Sequence, residues 1–204
     1  MFGITENVLT PSPSVLPSED LSTVQTPAPT AEPDATMTPS PAVSNSVLEA
    51  MEAFKIAQSA YADYDVPDMV SYENLVLPFS YTSPVEGVTS SGFGYRVHPI
   101  ENVVKFHYGT DFVAAAGTPI AAFADGQVTM TGYEKGYGNF VEITHADGWK
   151  TLYAHCSEVK VSWWQDVKKG DIIALAGETG EATGPHLHLE LTYNGLFTNP
   201  EFFF

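Results

Sequence analysis

Short strand-like segments, separated by glycine-containing turns, run from Val66 to the C-terminus, and this pattern restricts the fold more than any other feature. β-Branched and aromatic residues are frequent in four of these segments, 118–134, 138–155, 167–177 and 186–195. Hairpin turns are predicted at three places, Ala124-Asp125-Gly126, Asp147-Gly148 and Asn194-Gly195. Because little helix is expected here, we predict an all-β fold, an antiparallel sandwich or a partly closed barrel.

The first 45 residues differ in composition from the rest of the chain. Proline, threonine, serine, alanine and glutamate dominate the segment 10–44. Such a segment buries too little apolar surface to offset the conformational entropy that it would lose on folding. We therefore predict a disordered spacer over 1–45, a short helix and linker over 46–66, and a folded domain over 67–204.

Residues 46–62 carry the one convincing helical pattern. Apolar side chains recur there at helical spacing, at Val47, Met51, Phe54 and Tyr61, with Gln58 as a polar break. Ser46 and Glu49 have the spacing of a capping box at the start of a helix. This helix could pack on the folded domain or stand beside it as a separate element.

The net charge argues against one class of partner. The chain has 8 basic and 25 acidic side chains, a formal charge of −17. Sixteen of the acidic residues and seven of the basic residues follow Val66, which leaves the folded part near −9. Neither part offers the basic stripe that neutralises phosphates, so we expect no nucleic-acid partner.

Cysteine usage and targeting signals say little about location. Cys156 is the only cysteine, which excludes an intramolecular disulfide. Because adjacent side chains on a strand point to opposite faces, Cys156 should point away from His155, into the core rather than towards a metal. No apolar run approaches the roughly 18 residues that cross a membrane. Residues 1–13 also lack a basic flank followed by a long apolar stretch. Export is therefore expected to depend on a signal or anchor upstream of Met1.

Two short motifs combine histidines with carboxylates. Side chains two apart on a strand share a face, so His186, His188 and Glu190 should line one face. His107 and Asp111, four residues apart with a glycine between them, can converge on a metal from a loop that leads into a strand. Two histidines and one carboxylate suit zinc and leave a fourth position for water. Taken singly, both motifs are weak signals. Ordinary strand residues are the commoner interpretation of the pair His186 and His188, and a structural hydrogen bond is the default interpretation of His107 and Asp111.

Two further histidines have simpler interpretations when they are considered alone. His155 ends the segment Leu152-Tyr-Ala-His155, where a solvent-satisfied histidine at a strand end is the common case. His145 lies two residues before the Asp147-Gly148 turn and is predicted to be exposed near a hairpin tip.

The motifs in combination resemble a known family. The segments 106–111, 152–155 and 183–190 occur in the order and spacing of the lysostaphin and LytM-type peptidoglycan endopeptidases. Further landmarks of that family match at Ser90–Pro99, Gly117–Ala122, Asp125–Val128, Gly136–Asn139 and Gly177–Gly180. The resemblance covers about Leu77 to Pro200 and leaves everything before Leu77 outside it. It implies a barrel-sandwich hybrid of antiparallel strands, with a groove over one sheet and Zn²⁺ at its floor.

The resemblance also assigns roles to individual residues. It implies that His107, Asp111 and His188 are the zinc ligands, and that His155 and His186 are catalytic histidines beside the metal-bound water. Glu190 either orients His186 or His188 or faces solvent. Arg96 and His98 either contact a carboxylate of a peptidoglycan stem peptide or serve only in strand pairing.

The implied activity is zinc-dependent hydrolysis of a peptide cross-link in bacterial peptidoglycan. The intact segment Ser90–Pro99 favours direct cross-links to D-alanine over glycine bridges as the substrate. One alternative is a non-catalytic zinc-binding scaffold that binds wall peptide or a partner protein in a division or sporulation complex. A phosphocarrier domain of the sugar phosphotransferase type is a remote alternative, because it has no need of the pair His107 and Asp111. The expected location is the outer face of the bacterial membrane or the cell wall, and a monomer is favoured.

Overall fold

The computed structural model describes residues 43–73, 76–99 and 101–204. Apart from its last three residues, the predicted spacer over 1–45 lies outside the described residues and stays a prediction. The described residues fall within one compact unit, in which one α-helix precedes a series of strands.

The strands in the described part of the chain form three antiparallel sheets. They are β1 (Thr89–Ser91), β2 (Gly94–Val97), β3 (Val104–His107), β4 (Thr110–Val113), β5 (Pro119–Ala121), β6 (Gly126–Glu134), β7 (Gly138–Thr144), β8 (Trp149–Cys156), β9 (Glu158–Val159), β10 (Asp166–Val167), β11 (Ile172–Leu175), β12 (His186–Tyr193) and β13 (Leu196–Thr198). The largest sheet has the order β1-β4-β12-β8-β7-β6-β10, with β13 paired to β12. A second sheet is β5-β11-β9, and β2 pairs with β3. The all-β prediction is confirmed.

Strand β12 shows how the sequence builds the large sheet. It lies between β4 and β8, which places it near the middle of the sheet. Leu187, Leu189 and Leu191 are almost fully buried in the hydrophobic core, as their period of two predicts. Burying a leucine contributes roughly 1.5–3 kcal/mol, so these three side chains fix which face of the strand meets the core. The intervening His186, His188 and Glu190 occupy the opposite face.

Two of the three predicted hairpin turns are present. Asp147 and Gly148 connect β7 to β8, and Asn194 and Gly195 connect β12 to β13, each with positive φ at both residues. The prediction at Ala124-Asp125-Gly126 was wrong, because β5 pairs with β11 whereas β6 pairs with β7 and β10. That turn carries the chain from one sheet to another.

The predicted helix exists, although its start differs from the prediction. Helix α1 spans Asn45–Gln58, and its N-cap is Ser44, whose hydroxyl accepts from the backbone N–H of Val47 at 3.3 Å. The predicted capping box from Ser46 to Glu49 was therefore wrong. No helix in the described residues is long and apolar enough to span a membrane.

Helix α1 packs on the folded domain rather than standing apart. Phe54 contacts the rings of Tyr72, Phe93 and Phe202. The side-chain amide of Gln58 bonds to both backbone groups of Tyr95 in β2, because its Oε1 accepts from the Tyr95 N–H at 2.7 Å and its Nε2 donates to the Tyr95 carbonyl at 3.4 Å. Gln58, the polar residue within the apolar face of the helix, thus holds the backbone of β2 in place.

Candidate metal centre

Three neighbouring strands bring the predicted metal ligands together. His107 ends β3, and Asp111 on β4 lies directly opposite His188 on β12. His107 Nε2 lies 3.1 Å from His188 Nδ1 and 3.3 Å from Asp111 Oδ1. His188 Nδ1 lies 2.8 Å from the same carboxylate oxygen. The turn between β3 and β4 needs Gly109, because a Cβ there would lie 2.6 Å from Cε1 of the His188 ring.

Hydrogen bonds set which nitrogen of each ligand histidine faces the centre. His107 Nδ1 donates to the Gly92 carbonyl at 2.8 Å, which leaves a lone pair on Nε2. His188 Nε2 faces Glu190 Oε1 at 3.3 Å, so that Nδ1 carries the lone pair when the ring is neutral. Both lone pairs and Asp111 Oδ1 therefore point at one another. Three acceptors so close together require a cation or a proton between them.

The charge distribution of this centre favours a cation. Burial raises the pKa of Asp111, but its close contacts with His107 and His188 outweigh that effect and hold the pKa well below its usual range. Burial lowers the pKa of His188, yet hydrogen bonds to Asp111 and Glu190 raise it to about 9. The negative environment that draws a proton to His188 also attracts a divalent metal, and the two compete for the same lone pair.

The donor set fits zinc. Zinc takes imidazole nitrogen and carboxylate oxygen at about 2.0–2.2 Å, and a tetrahedron with such bonds separates its ligand atoms by about 3.3 Å. The three separations here, 2.8, 3.1 and 3.3 Å, are close to that spacing. Three protein ligands also leave one tetrahedral position for water or substrate, as in catalytic zinc sites. His107, Asp111 and His188 would hold the ion.

Glu190 and Tyr137 extend the candidate centre beyond its three donors. Glu190 is buried, and its Oε1 accepts from the Tyr137 hydroxyl at 2.7 Å as well as facing His188. Burial and the Glu190 carboxylate raise the pKa of Tyr137, so its hydroxyl stays protonated and donates. Of the two alternatives left open for Glu190, the structure supports orientation of His188 and contradicts exposure to solvent.

Replacing Glu190 with glutamine should weaken zinc binding about 10- to 100-fold, the usual effect of losing a partner that orients a metal-binding histidine. Tyr137→Phe is the matched comparison, since it removes one hydrogen bond to Glu190 and leaves the carboxylate facing His188. We expect less than about a tenfold effect from that variant. Competition with a chromogenic chelator measures both affinities, and wild-type affinity in Glu190→Gln would contradict the orienting role of Glu190.

The two remaining predicted site residues lie beside the donors. His155 at the end of β8 and His186 at the start of β12 have ring centroids 4.6 Å apart. His155 Nδ1 donates to the Thr179 carbonyl and His186 Nδ1 donates to the Gly184 carbonyl, each at 2.8 Å. Each ring therefore keeps an unprotonated Nε2 when neutral, and His186 Nε2 lies 3.8 Å from Asp111 Oδ1.

The backbone and the surroundings of His155 are unusual. Its φ of 58° lies in the left-handed region, where histidine is less disfavoured than most residues. Its N–H donates to the Tyr137 carbonyl at 2.8 Å. Burial and the neighbouring His186 lower the pKa of His155 to about 4, so the ring is neutral at neutral pH. The Nε2 of this anchored ring therefore carries a lone pair that can accept a proton or a hydrogen bond.

The five histidine and aspartate side chains line one cavity of about 230 Å³. Its other walls come from the end of β2 with Arg96 and His98, from the β6–β7 turn with Tyr137, and from the segment 181–183. A second cleft of about 440 Å³ adjoins it, and Arg96, Asp111 and His186 line both. Because the two cavities share these residues, they form one connected groove whose lining includes the three metal donors.

His145 and Cys156 contribute nothing to this centre. The prediction that His145 is exposed was wrong, since it is buried and bonds to the Asp125 carbonyl and the Thr151 hydroxyl, each at 2.8 Å. Cys156 is fully buried in the core, as predicted, and burial raises the pKa of its thiol to about 12.

Comparison with known proteins places this centre in a family. Residues 105–200 match the sequence model of Peptidase family M23. The DD-carboxypeptidase/endopeptidase Mpg of Neisseria meningitidis is 49% identical over 111 residues, which make up 54% of this chain and 26% of that protein. The chain thus spans about a quarter of the length of this curated relative.

Two solved structures share the fold. A zinc-containing peptidase from Vibrio cholerae is 37% identical, with a TM-score of 0.56 over 61% of this chain and 40% of the other. The catalytic domain of lysostaphin from Staphylococcus simulans is 31% identical, with a TM-score of 0.52 over 56% of this chain and 90% of the other. Since nearly the whole of that domain is matched and the family model agrees with it, this chain belongs to peptidase family M23.

Proposed function

We propose that this chain is a zinc metalloendopeptidase that hydrolyses cross-links of bacterial peptidoglycan at D-alanine rather than at glycine bridges. One observation carries the proposal: three metal donors and two anchored histidines converge in one cavity. His107, Asp111 and His188 are the zinc ligands in this proposal. His155 and His186 are the catalytic residues.

Each part of the cavity has a chemical role in amide hydrolysis. Zinc, when bound, supplies a Lewis acid that polarises a carbonyl and lowers the pKa of a water to about 7. His155 and His186 direct Nε2 atoms into the cavity, and these nitrogens accept the proton of the attacking water and return it to the leaving amine. Once protonated, either ring donates a hydrogen bond to the oxygen on which negative charge develops.

The fixed orientation of both histidines supports catalysis over a purely binding role. The carbonyls of Thr179 and Gly184 each hold one ring nitrogen, so that neither imidazole must reorganise during the reaction. A scaffold that only binds wall peptide gains nothing from two anchored rings beside a metal. The scaffold alternative therefore has no observation in its favour.

The relative Mpg supports the substrate proposal. That protein is named as a DD-carboxypeptidase and endopeptidase, which means that it cleaves between two D-configured centres. Peptide bonds of this kind occur in peptidoglycan stem peptides and their direct cross-links, whereas glycine bridges contain no such centre. The substrate lies in the cell wall, so the proposed place of action is outside the cytoplasmic membrane.

Digestion of two purified walls, one with direct D-alanine cross-links and one with glycine bridges, tests the proposal. We expect soluble fragments from the first wall, with mass spectra that place the new carboxyl end on D-alanine, and no release when a chelator is present. Release that is insensitive to chelator would contradict the metal chemistry. Release from the glycine-bridged wall alone would contradict the substrate, and binding to both walls without release would favour the scaffold.

A further inference from the structure

Arg96 is the only arginine in the chain, and it lies on the metal side of β2. In the β2–β3 pair, Tyr95 is opposite Phe106 and Arg96 is opposite Lys105. Since side chains alternate along a strand, Arg96 shares its face with His107. The two hydrogen bonds between Gln58 and the Tyr95 backbone hold this part of β2 in place, and with it the backbone of the adjacent Arg96.

The hydrogen-bonding capacity of this guanidinium is unused within the described residues. Nη2 of Arg96 lies 3.9 Å from Asp111 Oδ2, which is too far for a hydrogen bond. Its Nε is buried without a partner among the same residues. Nearby lysines are already engaged, because Lys105 pairs with Glu101 and Lys135 pairs with Glu181. Arg96 is thus a partly buried cation with free donors.

Its position suits an anion on the substrate. Arg96 lines both the cavity over the metal donors and the adjoining cleft, so its head group lies beside the path of an extended peptide. A guanidinium offers parallel N–H donors that match a carboxylate. Binding there would satisfy donors that are otherwise unpaired, which makes a carboxylate more favourable than a neutral group.

We propose that Arg96 binds the carboxylate on the α-carbon that bears the scissile nitrogen. The proposal rests on the proposed function. In a D-alanyl-D-alanine terminus, and in a D-alanyl cross-link to the D-centre of diaminopimelate, that carboxylate lies about 2.5 Å from the scissile nitrogen. An internal glycine bridge has no carboxylate at this position. Arg96 would therefore bind both carboxypeptidase and endopeptidase substrates through the same carboxylate, and it would disfavour glycine bridges.

Two matched peptides test the inference, a stem pentapeptide ending in D-alanyl-D-alanine and the same peptide ending in D-alaninamide. We expect wild-type kcat/KM to favour the free carboxylate about 10- to 100-fold, as for hydrogen bonds to charged groups. Arg96→Gln should lose that preference, because its kcat/KM falls far more on the carboxylate peptide than on the amide, and its zinc content should be unchanged. Lys105→Gln is the control, since it removes a positive charge from the same face outside both cavities.

Other outcomes overturn the inference in distinct ways. An equal loss on both peptides in Arg96→Gln would make Arg96 a positioning residue for Asp111, and loss of zinc would make it structural. Equal wild-type rates on both peptides would exclude carboxylate recognition.

Calorimetric titration of the metal-free full chain separates this inference from the proposed function. Tighter binding of the carboxylate peptide by the wild type, lost in Arg96→Gln, supports the inference even if neither peptide is cleaved. Equal binding of the two peptides by the wild type overturns it.

Discussion

Asp111→Asn is expected to lose zinc while keeping its fold. Asp111 supplies the one carboxylate among the three donors, and its Oδ1 is within 3.3 Å of both ligand nitrogens. Asparagine preserves the shape of the side chain but removes the negative charge that attracts the cation. Because loss of an outer partner already costs about 10- to 100-fold in metal affinity, loss of a ligand should weaken zinc binding by more than about 100-fold. Metal analysis after dialysis, with a chelator titration, measures this.

Asp63→Asn is the matched control for this variant. It makes the same chemical change at an exposed position that lines neither of the two cavities. Its zinc content and activity should equal those of the wild type. Stoichiometric zinc of wild-type affinity in Asp111→Asn would show that Asp111 is not a ligand and that the donor set must be revised.

Local periodicity predicted the parts of the fold that depend on neighbouring residues. The alternation of leucines with His186, His188 and Glu190 fixed which face of β12 meets the core, because a shift of one residue would expose all the leucines. The turns at Asp147 and Asn194 were also predictable, since Asx-Gly pairs tolerate the positive φ that a tight hairpin requires.

Two of the wrong predictions, at His145 and at the turn 124–126, share a physical cause, which is tertiary context. His145 was predicted to be exposed because it lies near a turn, yet the carbonyl of Asp125 and the rings of Phe79 and Phe123 cover it. Asp125-Gly126 has the composition of a hairpin turn, but strand pairing sends its two flanks to different sheets. Turn composition records that the chain bends and carries no information about which strands pair.

The sequence predicted which residues make up the candidate site, but it did not predict the hydrogen bonds between them. Resemblance to a family gave the five histidine and aspartate positions, and strand periodicity placed His186 and His188 on one face. The link from Tyr137 through Glu190 to His188 joins residues 53 positions apart and depends on the order of strands in the sheet. The unpaired donors of Arg96 are likewise a property of packing, because a sequence shows which donors exist and not which are satisfied.

Substitution of His155 or His186 is expected to separate metal binding from turnover. Neither His155 nor His186 belongs to the three-donor group, so both variants should keep one zinc per chain. Removal of a positioned acid–base or oxyanion-stabilising group typically lowers the rate by about 10²- to 10⁴-fold. His186→Ala is suitable as the second variant, whereas position 155 needs a residue that accepts a φ of 58°.

His155→Asn is the sharper of the two tests. Asparagine tolerates the left-handed conformation, so the variant removes proton transfer without adding the roughly 1–2 kcal/mol of backbone strain that most residues incur there. His145→Gln is the comparison, because it alters a buried histidine outside the cavity and should lower the melting temperature while leaving kcat of the folded enzyme unchanged. Zinc stoichiometry, melting temperature and single-turnover rates on a cross-linked fragment should be measured for all three variants. If His155→Asn retained near-wild-type turnover with full zinc, proton transfer would have to be assigned to His186 alone. In the described part of the chain, it is the one other imidazole that lies beside the three donors and is anchored through its Nδ1 by a backbone carbonyl.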